Sequence, residues 1–341
     1  MLAISKTEPG VGHVALVELE KPAPGPGEVL LRVLASGICG TDVHVYNWGH
    51  FAHRMRLPTV LGHEICGVVE AVGPGVTRVA VGTRVSVESH VACGQCYTCH
   101  KGWSHVCPNT RYPGIDFNGG FAPFVVLPEQ IVWPVPDSIS TEAAAMMEPF
   151  GIAVHASMEG SGVSGLNVLV AGCGPIGLMN IAAARALGAN FIIATDVNPI
   201  RLKMALDMGA DEAVDVSRVD ARALVRAATR GRGVDVAIEY SAKPDSIAMA
   251  SEVTTPGGEL RLLGVPSGEF ALNLEPWLFK GLIVRSLHGR RLFSSWEHAT
   301  NLLLGKKVNI EPLVSHRLPL QESQAGFDAA ISGSGVKILF M

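Results

Sequence analysis

A glycine-rich turn between an apolar segment and a helical pattern constrains this fold more than any other sequence feature. Asn167–Ala171 predicts a buried strand, and it runs directly into Gly172-Cys173-Gly174-Pro175-Ile176-Gly177. In a G-x-G-x-x-G turn the first glycine permits the tight bend and the second lets a pyrophosphate approach the backbone. The third lets the following helix pack against the strand. The turn therefore predicts a dinucleotide site that uses Gly172, Gly174 and Gly177.

An acidic residue completes this pattern. Asp196 follows the next predicted strand, 19 residues after Gly177. A carboxylate at this position binds the adenosine ribose hydroxyls and repels a 2′-phosphate, so it favours NAD over NADP. Arg201 is open to two interpretations, as a ribose contact beside Asp196 or as an ordinary solvated helix residue.

Apolar segments alternate with helical patterns throughout the second part of the chain. Asn198 predicts an N-cap, with Pro199 as the first residue of a helix that ends before Gly209. Such alternation predicts an α/β domain with a parallel, doubly wound sheet. The predicted strands are 167–171, 191–195, 213–216, 235–239, 259–264 and 282–287.

The first part of the chain has a different texture. Short apolar runs at 29–34, 68–72 and 84–87 lie between Gly/Pro turns, which is typical of a β-rich domain. The last segment looks helical and then returns to short strands, so we expect it to fold back onto the β-rich part. The expected domains are 1–149 with 291–341, and 150–290.

Composition excludes several classes of protein. Lys+Arg 27 against Asp+Glu 31 gives a formal net charge of −4, which offers no basic face for nucleic acid and no polybasic membrane anchor. The uncharged segment 166–184 approaches the length of a membrane span, but its glycines and proline favour a strand, turn and helix. The N-terminus lacks the pattern of a signal peptide, so we expect a cytoplasmic protein.

Four cysteines are concentrated in one short segment, with the spacing Cys93-x2-Cys96-x2-Cys99-x7-Cys107. In a chain without a secretion signal, such clustering indicates metal ligation rather than disulfides. Four thiolates form the closed ligand set of structural zinc. An iron–sulfur cluster could use the same ligands, but nothing near the segment indicates electron transfer, so zinc is favoured.

A second group of metal-ligand types is spread over three segments. Cys39, the adjacent pair His63 and Glu64, and Glu148 could together form a catalytic zinc site, which keeps one position open. Each residue also has an ordinary structural interpretation. A lone cysteine is usually a small buried apolar residue, and a lone histidine is usually hydrogen-bonded in the core.

These residues resemble the zinc-dependent medium-chain alcohol dehydrogenases over essentially the whole chain. The stretch Gly62-His63-Glu64-x2-Gly67-x5-Gly73-x2-Val76 is similar to that family's zinc signature, and the four-cysteine segment and glycine turn follow in the family order. The resemblance implies an N-terminal GroES-like β-rich catalytic domain and a Rossmann domain. Within the family, Cys39–His44 followed by Tyr46-Asn47-Trp48 most resembles the threonine dehydrogenases.

The resemblance also implies a role for individual residues. Cys39, His63 and Glu64 would ligate a catalytic zinc, Glu148 would lie beside it, and Thr41 and His44 would relay the substrate proton. Cys93, Cys96, Cys99 and Cys107 would hold a structural zinc, giving two Zn²⁺ per subunit, and His90 would contribute to the substrate pocket. The residues implied for NAD are Ile176, Asp196, Arg201, Leu263, Gly264, Val265, Leu287 and His288.

The resemblance implies oxidation of the secondary alcohol of L-threonine to 2-amino-3-oxobutanoate, with hydride passing to NAD, by a homotetramer. Two alternatives remain open. One is a polyol dehydrogenase of the sorbitol or butanediol type, and the other is a non-catalytic NAD(P)-binding protein that kept the fold. The presence of Cys39, His63 and Glu64 argues against the second alternative.

Overall fold

A computed structural model describes residues 1–266 and 268–341 and divides the chain into two compact units. The first unit is Met1–Pro149 with Ile310–Met341, and the second unit is Phe150–Asn309. Residues 291–309, which we expected in the first unit, group with the second. Within the second unit, Arg291 at the start of this segment forms an ion pair with Glu159 at 3.2 Å.

Strands and helices are numbered in chain order. The strands are β1 (Leu2–Lys6), β2 (Val14–Glu18), β3 (Glu28–Gly37), β4 (Thr59–Val60), β5 (Glu64–Val72), β6 (Arg84–Val87), β7 (Phe124–Pro128), β8 (Val132–Pro134), β9 (Asn167–Ala171), β10 (Phe191–Asp196), β11 (Glu212–Asp215), β12 (Val234–Glu239), β13 (Thr254–Leu262), β14 (Ile283–Ser286), β15 (Val314–Leu318) and β16 (Lys337–Phe340). The α-helices are α1 (Gly40–Tyr46), α2 (Tyr97–His100), α3 (Thr141–Ala145), α4 (Met147–Met158), α5 (Pro175–Ala186), α6 (Pro199–Asp207), α7 (Ala221–Ala228), α8 (Pro244–Val253), α9 (Glu275–Lys280), α10 (Ser294–Leu304) and α11 (Ser323–Ser332).

The first unit is built on two sheets. One has the order β2-β1-β4, and the larger has the order β15-β16-β3-β5-β6-β8, with β7 paired to β3. The last strand, β16, runs antiparallel to β3, with Leu339 opposite Gly37. The C-terminal segment therefore returns to the β-rich unit, as expected, and brings its side chains next to the end of β3.

The second unit contains one parallel sheet with the order β11-β10-β9-β12-β13-β14. All six predicted strands are present, so the prediction of a doubly wound sheet is confirmed. The capping prediction is also confirmed, because the Asn198 side chain accepts a hydrogen bond from Ile200 N at 2.9 Å and Pro199 opens α6. Strand order reverses between β9 and β12, which is where such sheets bind nucleotides.

The uncharged segment 166–184 forms β9, the glycine turn and most of α5. Among the described residues, no helix has both the length and the apolar character needed to cross a membrane.

Candidate active site and metal centres

The four clustered cysteines converge on one point in the first unit. Cys96 Sγ lies 3.5 Å from Cys99 Sγ and 3.7 Å from Cys107 Sγ, and Cys107 Sγ lies 3.5 Å from Cys93 Sγ. Sulfur atoms at the corners of a zinc–thiolate tetrahedron are about 3.8 Å apart, as zinc–sulfur bonds of about 2.3 Å require. All four thiols are free, so the group fits a Zn²⁺ ion without rearrangement of its backbone.

A backbone hydrogen bond and burial shift the pKa values of two cysteine thiols in this loop in opposite directions. The N–H of Gln95 lowers the pKa of the Cys93 thiol to about 6, whereas burial raises the pKa of the Cys99 thiol to about 11. Four sulfur atoms this close could not all carry negative charge without a cation between them. The arrangement is therefore that of a closed, structural metal site.

Cys39, His63 and Glu64 form a second potential metal site, with one ligand atom from each lying within 4.8 Å of the others. Strand pairing brings them together, because Gly37 at the end of β3 lies opposite Glu64 at the start of β5. Gly37 is needed here, since a Cβ at this position would lie 2.3 Å from Glu64 Oε2. Sulfur, nitrogen and oxygen donors suit zinc, and three protein ligands leave one coordination position for a substrate.

Asp42 lies close to the histidine of this group, and sequence reasoning assigned it no role. Its carboxylate accepts hydrogen bonds from Cys39 N at 2.9 Å and Gly62 N at 3.3 Å, and Asp42 Oδ1 lies 3.9 Å from His63 Nδ1. Burial lowers the pKa of His63, but Asp42 and Cys39 raise it to about 10. A carboxylate behind a metal-binding histidine fixes its ring orientation. The sequence feature that could have identified Asp42 is its position three residues after Cys39, at the start of α1.

A buried lysine contacts the other side of the same group. Lys337 of β16 is buried, its Nζ donates to the carbonyl of Ile38 at 3.0 Å, and it forms an ion pair with Glu64 Oε2. Burial raises the pKa of Glu64, whereas the Lys337 cation lowers it. No local pattern indicates this contact, because Lys337 belongs to the last strand of the chain.

The remaining candidates near this group differ in how closely they approach it. Glu148 is buried and accepts a hydrogen bond from Ser89 Oγ at 2.6 Å. Its charge raises the pKa of Glu64, although Glu148 is not among the three residues whose ligand atoms converge. Thr41 is half-buried, and its Oγ1 lies 3.8 Å from Cys39 Sγ. His44 is exposed, one turn further along α1.

His90 is buried beside Ser89. Its Nδ1 lies 2.7 Å from Glu88 Oε1 and 3.3 Å from Ser89 Oγ. Because Ser89 also binds Glu148, the segment after β6 connects the predicted substrate histidine to the neighbourhood of the three ligands. Sequence reasoning did not identify Glu88 or Ser89.

The nucleotide candidates lie at one edge of the sheet in the second unit. Asp196 Oδ2 accepts a hydrogen bond from Cys173 N in the glycine turn at 2.7 Å, which ties β10 to the turn after β9. A Cβ on Gly177 would lie 2.0 Å from the carbonyl oxygen of Gly172, whereas a Cβ on Gly174 would meet nothing within 4 Å. The third glycine thus packs the helix, and the second leaves its surface open to a phosphate.

The other nucleotide candidates lie at the carboxyl ends of neighbouring strands. Leu263 N donates to Glu239 O at 2.9 Å, and Leu287 N donates to Leu262 O at 2.9 Å. Ile176 and Arg201 lie in the first turns of α5 and α6, and both are half-buried. This edge is therefore shared by Gly172, Gly174, Ile176, Gly177, Asp196, Arg201, Leu263, Gly264, Val265, Leu287 and His288.

Glu239 supports the same edge, and sequence reasoning missed it. Its buried carboxylate accepts hydrogen bonds from Ser241 N and Ala242 N, each at 2.9 Å. These bonds shape the turn after β12, which lies directly against Gly172. An acid at the end of an apolar strand was the signal that could have identified it.

Two family descriptions match the chain. Residues 25–137 match the alcohol dehydrogenase GroES-like domain, and residues 175–305 match the zinc-binding dehydrogenase domain. The chain is 40% identical to an L-threonine 3-dehydrogenase of Pyrococcus horikoshii, covering 100% of this chain and 98% of that protein. It is 39% identical to an L-threonine 3-dehydrogenase of Bacillus subtilis, again covering 100% of this chain and 98% of that protein.

Solved structures agree with this match. A zinc-binding dehydrogenase of Sinorhizobium meliloti bound to NADP is similar with a TM-score of 0.93 and 28% identity, covering 100% of this chain and 98% of that chain. The 2R,3R-butanediol dehydrogenase of Bacillus subtilis is similar with a TM-score of 0.90 and 30% identity, covering 99% of both chains. The predicted fold class and family are confirmed, and the chain belongs to the zinc-dependent medium-chain alcohol dehydrogenases.

Proposed function

We propose that this chain oxidises the C3 hydroxyl of L-threonine to 2-amino-3-oxobutanoate and passes the hydride to NAD. The observation that carries the chemistry is the convergence of Cys39, His63 and Glu64 within 4.8 Å. The full-length similarity to threonine dehydrogenases supports the choice of substrate.

Cys39, His63 and Glu64 would hold the catalytic Zn²⁺, which supplies Lewis-acid polarisation of the substrate hydroxyl when bound. Thr41 is half-buried beside Cys39, so its hydroxyl can take the substrate proton while it gives its own proton onward. His44 is exposed one turn further along α1 and passes this proton to water. Histidine suits the second position because imidazole exchanges protons readily near neutral pH.

Glu148 would act close to this centre without being a permanent ligand. It is buried, and Ser89 Oγ donates to its Oε1 at 2.6 Å. A buried carboxylate this close to the three ligands would be able to take a proton or to approach the metal. The four cysteines from Cys93 to Cys107 would hold the second Zn²⁺, which stiffens the loop and takes no part in the reaction.

The second unit would bind NAD at the glycine turn. Its backbone N–H groups and the start of α5 would receive the pyrophosphate, and Asp196 would receive the ribose hydroxyls. The negative charge of Asp196 favours NAD over a cofactor with a 2′-phosphate, so NADP should be used poorly. Leu263, Gly264, Val265, Leu287 and His288 would line the remainder of this edge.

The test is NADH formation with L-threonine, sorbitol, 2,3-butanediol and ethanol at matched concentrations. We expect a clear preference for threonine that a zinc chelator abolishes, and two Zn²⁺ per chain. Similarity to a butanediol dehydrogenase favours the second candidate, a polyol dehydrogenase. A preference for a diol would establish that candidate and discard the threonine assignment.

A variant tests the relay. His44→Ala should lower turnover at least about tenfold, the lower end of what a positioned acid or base contributes, while zinc content stays at two per chain. Loss of zinc together with turnover would mean that His44 acts through the metal site and would remove it from the relay.

The proposed assembly is a homotetramer in the cytoplasm, whose reducing conditions would keep the free thiols available for metal. Support for self-association comes from β14, the outer strand of the second unit's sheet. Beside it, Leu278 and Phe279 of α9 are 80% and 85% exposed. Exposed apolar edges favour pairing with another copy. Light scattering should give four chains per particle, and Ile283→Lys should reduce that number.

A further inference from the structure

The turn that follows β12, Ser241-Ala242, packs between two glycines that the proposed function assigns to the cofactor. A Cβ added to Gly172 would lie 3.0 Å from the backbone nitrogen of Ser241. A Cβ added to Gly264 would lie 2.5 Å from the backbone nitrogen of Ala242. The dinucleotide turn and the turn after β13 therefore both contact the backbone of Ser241-Ala242, which we call the β12 turn.

The β12 turn has a backbone conformation that its sequence does not favour. Ala242 has a φ of +56°, in the left-handed region, where the Cβ of an L-residue approaches the following carbonyl oxygen. Glycine adopts such a φ without this steric cost. A strained residue of this kind persists only where surrounding contacts hold it, and such residues concentrate at functional sites.

Glu239 supplies contacts that hold this conformation. The residue is buried, and its Oε1 accepts a hydrogen bond from the backbone N–H of Ser241 at 2.9 Å. Its Oε2 accepts one from the backbone N–H of Ala242, also at 2.9 Å. The carbonyl oxygen of Glu239 accepts from the N–H of Gly264 at 3.1 Å. One residue therefore bonds to the β12 turn and to the turn after β13.

We propose that Glu239 is a positioning residue for the nicotinamide half of the cofactor, because its carboxylate holds the β12 turn against Gly264. A doubly wound sheet binds one mononucleotide at each of its halves. The adenosine half is assigned to Asp196 after β10, so the nicotinamide half would lie on the other side of β9, toward β12, β13 and β14. This role rests on the proposed NAD site and goes beyond it, since Glu239 acts from beneath the turns.

Glutamine at position 239 would remove one of the two main-chain contacts. It keeps the shape of the side chain but has one acceptor oxygen instead of two. Because Oε1 also accepts from Ser246 Oγ at 2.9 Å, we expect the amide nitrogen at the Oε2 position, where it faces the N–H of Ala242. Loss of a hydrogen bond to a charged group shifts an equilibrium about tenfold or more. The fraction of chains with a correctly formed turn falls by that factor, and the apparent affinity for the cofactor falls with it.

Two ligands separate the halves of the cofactor, and calorimetric titration of the zinc-loaded full chain measures the binding of each. NADH carries both halves, whereas AMP carries only the adenosine half. In Glu239→Gln the Kd for NADH should rise about tenfold, while the Kd for AMP should stay within about twofold of the unmodified value. An equal loss for both ligands, or an unchanged affinity for NADH, would overturn the proposal.

Glycine at position 242 tests whether Glu239 acts through the β12 turn. Since glycine needs no support at this φ, Ala242→Gly added to Glu239→Gln should restore most of the lost NADH affinity. Absence of any restoration would mean that Glu239 does not act through this turn. If Glu239→Gln does not fold, Ala242→Val gives the same comparison with Glu239 intact, because a β-branched side chain disfavours a positive φ. It should also weaken NADH and spare AMP, and an equal loss of both would refute the role.

Glu252→Gln is the matched control within the same unit. Glu252 is 43% exposed and pairs with Arg222 at the surface, so its replacement should leave the affinities for both ligands unchanged. A loss of NADH binding there like that of Glu239→Gln would show a general effect of lost acidic groups and would contradict the proposal. The titrations use no alcohol, so their outcome is independent of threonine as the substrate. Absence of NADH binding by the unmodified chain would instead refute the NAD assignment in the proposed function.

Discussion

The ion pair between Lys337 and Glu64 can be tested by replacing Lys337 with methionine. Both side chains are only 1% exposed, and the lysine Nζ also donates to the carbonyl of Ile38 at 3.0 Å. Methionine keeps most of the aliphatic volume and removes the cation. The variant therefore leaves the Glu64 carboxylate buried without its positive partner.

The expected loss of folding stability depends on whether zinc is bound. Removing one partner of a buried ion pair costs about 3–5 kcal/mol, which for a unit of roughly 180 residues lowers the melting temperature by about 6–20 °C. A Zn²⁺ ion bound to Glu64 would replace the missing positive charge. The loss should therefore be large after chelation and small in zinc-loaded enzyme.

The pH dependence of the chelated variant has a definite sign. Burial raises the pKa of Glu64, and Lys337 opposes that rise. Without Lys337 the folded-state pKa lies further above the unfolded value, so the folded state binds the proton more tightly. The deficit relative to the unmodified chain should therefore shrink as pH falls, once Glu64 becomes protonated in the folded state.

Calorimetry of the full chain, with zinc and with a chelator, measures all of these effects. Lys21→Met is the matched control, because Lys21 pairs with Glu70 at the surface and is 46% exposed. The double variant Glu64→Gln with Lys337→Met should regain most of the stability lost in the chelated single variant. Equal destabilisation with and without zinc would refute the argument that Glu64 contacts the metal.

Four other predictions rest on the contacts described above. Gly177→Ala should destabilise the second unit, because its Cβ would lie 2.0 Å from the carbonyl oxygen of Gly172. Gly174→Ala should leave the melting temperature unchanged and weaken NAD binding in a calorimetric titration; unchanged NAD affinity would contradict the phosphate assignment. Asp42→Asn should weaken zinc binding about 10- to 100-fold in a metal titration, as for other residues that orient a ligand, and unchanged affinity would contradict that role. Burial raises the pKa of Glu259, but Arg261 outweighs it and the pKa is lowered, so its stabilisation is present above its ordinary pKa and is lost as pH falls. Glu259→Gln should flatten the acid side of the melting-temperature profile, and an unchanged profile would contradict this origin.

Features written within one short segment were predictable from sequence. The four cysteines lie in a single loop, so their spacing alone indicated a metal site, and the structure brings their sulfur atoms 3.5–3.7 Å apart. The glycine turn and the Asn198 cap are local in the same sense, since backbone conformation and capping depend on adjacent residues.

Features that depend on strand pairing were not predictable. Lys337 lies in an apolar strand and could have pointed to solvent, but β16 pairs with β3 and all four of its residues are buried. Glu88 lies in an irregular segment after β6, where neither the helical nor the strand periodicity predicts the direction of a side chain. Residues 291–309 likewise make long-range contacts that a local pattern does not reveal, such as the ion pair of Arg291 with Glu159.

The buried charges around Cys39 also bear on whether the chain is a catalyst or a binding protein that kept the fold. Asp42, Glu64 and Glu148 are at most 3% exposed. Among the described residues, Lys337 and His63 are the potential cations that act on Asp42 and Glu64, so acidic groups, together with the Cys39 thiol, are in excess. Burial raises the pKa of both Asp42 and Glu64, which shows the cost of keeping this excess of acid inside the unit. A divalent cation bound by Cys39, His63 and Glu64 would compensate the buried negative charge. A chain that binds no metal would keep these buried acids without that compensation. The arrangement therefore favours an enzyme whose stability and activity both depend on zinc.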